Sequence, residues 1–70
     1  MEWADASGSS NISRFGYDTG SSVLVVEFLN GGAYQYFDVP EEVFNRMCSA
    51  DSKGKFLAQE IKGSYRYSRM

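Results

Sequence analysis

Residues 23–39, Val-Leu-Val-Val-Glu-Phe-Leu-Asn-Gly-Gly-Ala-Tyr-Gln-Tyr-Phe-Asp-Val, decide the fold. Two β-branched and aromatic runs flank Asn30-Gly31-Gly32, the pattern of a β-hairpin. Its register decides which side chains meet, because a slip of one residue turns every side chain to the other face. A two-residue Asn30-Gly31 loop would set Leu24, Val26 and Phe28 beside Ala33, Gln35 and Phe37, burying the Gln35 amide. A three-residue loop with a bulge would set them beside Tyr34 and Tyr36, leaving Val25, Glu27, Gln35 and Phe37 on the open face. An unpartnered buried amide costs about 1–3 kcal/mol. The second register is therefore expected, with Tyr34 and Tyr36 lining the core side.

Upstream, residues 11–17 read as a weaker strand in which Gly16 marks a bulge or a close backbone approach. Residues 18–22, Asp-Thr-Gly-Ser-Ser, are a turn by composition. Residues 1–10 read as a flexible tail: Ala6-Ser7-Gly8-Ser9-Ser10 offers little to bury, and Trp3 is its exception. Downstream, Pro40 suits the first turn of a helix, and Glu41 and Glu42 favour the positive end of its dipole. Val43, Phe44, Met47 and Cys48 fall within about 140° of arc, giving a short amphipathic helix over 41–49. Ser49-Ala50-Asp51-Ser52 breaks it and offers an N-cap for a second helix. Phe56, Leu57 and Ile61 share a similar arc, and Gly63 is a C-terminal stop. Residues 64–68 alternate as a short extended segment would. The order predicts an α+β fold: a three-stranded antiparallel β-meander followed by two short α-helices packed on one sheet face.

Seventy residues allow a single domain, expected over 11–70. No apolar run approaches the length of a membrane span. The acidic start Met1-Glu2-Trp3-Ala4-Asp5 does not resemble a secretory leader, so a cytoplasmic location is expected. Cys48 is the one cysteine and histidine is absent, so neither an internal disulfide nor a structural zinc site is expected. No cofactor is implied. The net charge of −2 is unevenly spread. Arg14 is the one cation among residues 1–39, whereas Arg46, Lys53, Lys55, Lys62, Arg66 and Arg69 follow.

The order Ser9-Ser10-x-Ile12, Gly16-Tyr17-Asp18, Leu24-x-Val26-x-Phe28, Tyr34-x-Tyr36, Val39-Pro40, Ser52-x-Gly54-x-Phe56, Ile61 and Tyr65-x-Tyr67 resembles the KTSC domain. That short domain stands at the C-terminus of some lysyl-tRNA synthetases and alone as small bacterial proteins. The resemblance spans about residues 9–67 and centres on Tyr34-Gln35-Tyr36. It implies an RNA-handling context for the family and carries over no catalytic residue.

Enzymatic chemistry is not expected. Without histidine, Cys48 lacks an imidazole base, and its place on the apolar arc suggests a buried, inert thiol. Glu41 and Glu42 are neighbours that do not face one another on a helix. Ser52-Lys53-Gly54-Lys55 lacks the remainder of a phosphate loop. Binding is the sharper expectation. Lys53 and Lys55 open the second helix, Lys62, Arg66 and Arg69 follow it, and Tyr65 and Tyr67 alternate with the last cations. Such a mixture of rings and cations suits single-stranded nucleic acid, and the resemblance to the KTSC domain implies RNA, tRNA or single-stranded, as the ligand. The plainer reading docks Tyr65 and Tyr67 over the core. The alternative function is a protein partner or self-association through the open sheet face, where Val25 and Phe37 would make an apolar patch, or through an edge strand.

Overall fold

The structure, a computed structural model, describes residues 1–6 and 11–70. The decisive hairpin joins β3 (Val23–Phe28) to β4 (Ala33–Tyr36). Leu24 lies opposite Tyr36, Val25 opposite Gln35 and Val26 opposite Tyr34, the register expected from the cost of burying Gln35. Phe28 N–H donates to Gly32 O at 2.8 Å, and Gly31 N–H to Phe28 O at 3.0 Å. This is a three-residue loop closed by a bulge, and Gly31 takes the left-handed φ of +94° that the bulge requires.

The sheet has five strands rather than the three expected, in the antiparallel order β1 to β5. β2 (Ile12–Asp18) pairs with β3, as anticipated. The first added strand, β1 (Glu2–Asp5), pairs with β2 and lies in what the sequence presents as tail. The contacts that order it are small and specific. Ala6 is buried in the core, Ala4 packs against it, and Trp3 stands opposite Gly16. The other tail positions, 7–10, lie outside the described residues. The second added strand, β5 (Tyr67–Arg69), pairs with β4 and takes up the end of the alternating segment.

α1 (Glu41–Ser49) follows Pro40 with Glu41 and Glu42 in its first turn. α2 (Lys53–Phe56) is capped by Ser52, whose hydroxyl accepts from Lys55 N–H at 3.3 Å. It runs into a π-helical turn, Leu57–Ile61, closed by Lys62 N–H donating to Leu57 O at 2.8 Å. Phe44 and Met47 of α1, with Leu57 and Ile61, bury against Phe15, Tyr17, Leu24, Val26 and Tyr36. Both helices thus cover one sheet face. Phe44 meets Phe15 edge-on at 5.7 Å and stacks on Tyr17 at 5.3 Å. The Tyr17 hydroxyl donates to Val39 O, tying the sheet to the segment that enters α1.

The buried stripe of α1 is narrower than the sequence suggested. Phe44 and Met47 carry it, Val43 is half-buried, and Cys48 is exposed rather than buried. No helix among the described residues is long and apolar enough to cross a membrane.

Candidate functional site

Tyr34 and Tyr36 share the helix-covered face, but the helices stop short of its β4–β5 end. Gly63, at φ +86°, ends the helical run and turns the chain back toward β5. The β5 register then sets Tyr67 beside Tyr36 and Arg69 beside Tyr34. Between these strands, the hairpin tip and the end of the π-helical turn lies an open cleft of about 820 Å³. Tyr34, Tyr36 and Tyr67 form its aromatic side. Phe28, Leu29 and Asn30 come from the hairpin, Lys62 and Gly63 from the helix end, and Asn11 closes the rim.

The rings make a connected series. Phe28 meets Tyr34 edge-on at 5.7 Å, and Tyr67 lies 5.8 Å from both Tyr34 and Tyr36. Tyr36 is buried, whereas Tyr67 and Leu29 are largely exposed. Burial, then the neighbouring Tyr34 and Tyr67 hydroxyls, hold the Tyr36 phenol above its ordinary pKa. Tyr36 therefore remains a neutral phenol at physiological pH. A recess of about 390 Å³ adjoins the cleft, lined by Phe28, Asn30 and Tyr34 together with Gly31, Gly32 and Arg69.

The cations fall into two groups. Arg14 forms a two-pronged pair with Glu27, at 3.0 and 3.1 Å, and lies 3.9 Å over the Trp3 ring. Arg46 reaches Glu60 at 3.3 Å and Arg66 reaches Asp38 at 3.4 Å. Lys53 Nζ donates to Ala50 O at 2.6 Å and Cys48 O at 3.1 Å, closing the C-terminal end of α1. Lys55, Lys62 and Arg69 form no salt bridge among the described residues. Among the described residues, Lys62 and Arg69 are the two of these that line the cleft and its recess, and no carboxylate lines either space.

Of the residues singled out in the sequence, Lys62 and Tyr67 meet Tyr34 and Tyr36 in the cleft, and Arg69 stands in the recess. The others are elsewhere. Lys53 is turned onto the α1 carbonyls, Lys55 lines neither space, Tyr65 packs half-buried against the core, and Arg66 lies on Asp38 and Phe37. Leu29, Asn30 and Asn11 are cleft residues that the sequence did not single out. Leu29 and Asn30 are the first two residues of the three-residue loop after Phe28, which brings them to that end of the sheet.

The open face also differs from expectation. Val25 is buried, and its neighbour across the sheet, Gly16, is covered by the Trp3 indole. Cys48, although exposed, has its pKa raised by partial burial and by Glu2, with Lys53 opposing. A raised pKa keeps it mostly in the less reactive thiol form. Among the described residues no group of three or more His, Cys, Asp or Glu side chains could hold a metal ion.

The family model for the KTSC domain matches residues 8–65. A protein from Stutzerimonas stutzeri is 41% identical over 63 residues, covering 89% of each chain. One from Tsukamurella paurometabola is 38% identical over 58 residues, covering 83% of this chain and 87% of the other. A lysine–tRNA ligase from Trichormus variabilis is 34% identical over 59 residues, 84% of this chain but 10% of the ligase. The crystal structure of a KTSC domain protein from Yersinia pestis superposes with a TM-score of 0.91 at 36% identity, covering 99% of this chain and 96% of that one.

Proposed function

The chain belongs to the KTSC domain family, and from that premise we propose that it is a non-enzymatic domain that binds single-stranded RNA in the Tyr34–Tyr36–Tyr67 cleft. One observation carries the reading. Lys62 and Arg69 have no carboxylate partner among the described residues; Lys62 lines the cleft with the exposed Tyr67, and Arg69 lines the recess with the half-buried Phe28 and Tyr34. Rings offer an unpaired base a stacking surface, and free cations offer its phosphates a counter-charge. The tRNA ligases with a similar segment act on an RNA, which agrees in class with this ligand.

The surface is narrower than the one inferred from sequence. Lys62, Tyr67 and Arg69 are kept; Tyr34 contributes a wall, and Tyr36 supports it. Lys53, Lys55, Tyr65 and Arg66 are left out. Protein docking on the opposite face has less in its favour, since Val25 is buried and Arg14 and Glu27 satisfy one another.

Fluorescence anisotropy of a labelled eight-nucleotide RNA tests the proposal. Binding is expected at about 50 mM salt and should weaken as salt is added, because bound phosphates release counterions. Tyr67→Ala should lower affinity about tenfold, the lower part of the stacking range of about 1–3 kcal/mol per base. A folded protein showing no binding at about 50 mM salt would overturn the proposal.

A further inference from the structure

Resting on that reading, we infer that the two adjoining spaces divide a nucleotide between them: the base enters the aromatic cleft and its phosphate lies against Arg69. The spaces share Phe28, Asn30 and Tyr34, so one ligand spanning that wall occupies both. Their chemistry differs on either side of it. The larger side adds Tyr36, Tyr67 and Leu29, a surface on which a flat ring can lie, together with Asn11, Gly63 and the Lys62 ammonium, a point charge rather than a fork of donors. The smaller side adds Gly31, Gly32 and the Arg69 guanidinium, which suits a compact anion.

Arg69 is equipped for this part. The other three arginines, Arg14, Arg46 and Arg66, each lie on a carboxylate. Arg69 has no such partner among the described residues, so its planar fork of donors is not engaged by an acid. A guanidinium binds phosphate through two parallel hydrogen bonds. Its place is fixed by backbone. Arg69 lies directly opposite Tyr34 in the β4–β5 register, and Met70 N–H donates to Ala33 O at 2.9 Å just beyond. Residues opposite one another in a sheet have Cβ atoms about 4.5–5.5 Å apart. The anion site and the aromatic wall are therefore immediate neighbours, as phosphate and base are along a strand. A duplex keeps its bases paired and stacked and cannot use both spaces at once.

The dependence of affinity on salt separates the two spaces. For single strands the logarithm of affinity falls by about 0.7 per phosphate contact for each tenfold increase in salt. Using the labelled eight-nucleotide RNA, Arg69→Gln should reduce that slope by about 0.7. Tyr67→Ala should lower affinity at every salt concentration and leave the slope unchanged. Circular dichroism establishes that both variants fold, and Arg69→Lys, which keeps the charge, should restore the slope. If RNA binds but Arg69→Gln leaves the slope unchanged, the assignment of phosphate to Arg69 is overturned while the binding proposal stands. If no RNA binds the folded protein, both fall.

Discussion

The Trp3 indole occupies the space that a side chain at Gly16 would need. A Cβ added at Gly16 would lie 2.7 Å from Trp3 Cε3 and 2.8 Å from Cδ2. The two residues are opposed in the β1–β2 register, and Arg14 rests on the outer side of the same ring. A glycine in mid-strand weakens the strand unless something uses its bareness. Here the bareness seats the ring that holds β1 to the sheet.

Gly16→Ala should therefore loosen β1 at a cost of about 1–3 kcal/mol, the usual range for overpacking. Trp3 is the single tryptophan, so its emission should shift to the red as the ring leaves its seat. The same substitution in a Trp3→Ala background should cost much less. A double-mutant cycle with no coupling would show that the ring does not depend on the missing side chain.

Lys53 should matter for stability rather than for RNA. Its ammonium donates to two carbonyls at the end of α1, where a cation also favours the helix dipole. Lys53→Met should lower stability by about 0.5–1 kcal/mol, or roughly 2–8 °C in melting temperature for a domain this small. RNA affinity should change less than twofold. A loss of affinity equal to that of Lys62→Gln would return Lys53 to the binding surface.

Tyr36 gives the fold an alkaline limit. Burial raises its pKa in the folded state above the ordinary phenol value of about 10, which the unfolded chain retains. The contribution is full below the unfolded value and is lost as pH rises through the folded one. Denaturant melts should show stability falling above about pH 10, and Tyr36→Phe should flatten that fall. In a phenolate absorbance titration, Tyr36→Phe should remove a component that ionises above the ordinary phenol range. An unchanged alkaline profile in Tyr36→Phe would assign the limit to another group.

The central hairpin was legible because one amide, Gln35, made the wrong register costly. The helices were legible because Pro40, Ser52 and Gly63 mark three of their boundaries. β1 was not, because it is four residues long and its seat, Gly16, lies eleven residues beyond its end. Both halves of the signal were present, a stray tryptophan and a mid-strand glycine, but nothing in the chain order joins them. The candidate surface was half legible. Composition shows where the cations fall in the chain, whereas binding depends on which of them remain unneutralised and line the cleft or its recess. Asp38 meets Arg66 from across 28 residues, and two backbone carbonyls hold the Lys53 ammonium at the end of α1, outside the cleft, with its charge intact.

The most direct measurement is an amide-shift titration of the folded domain with a short single-stranded RNA. The largest shifts should fall on residues 28–31, 34, 62–63 and 67–69, the two adjoining spaces, and should disappear in Tyr67→Ala with Lys62→Gln. Shifts centred on residues 53–55 and 66 instead, or none at saturating RNA, would contradict the proposed site.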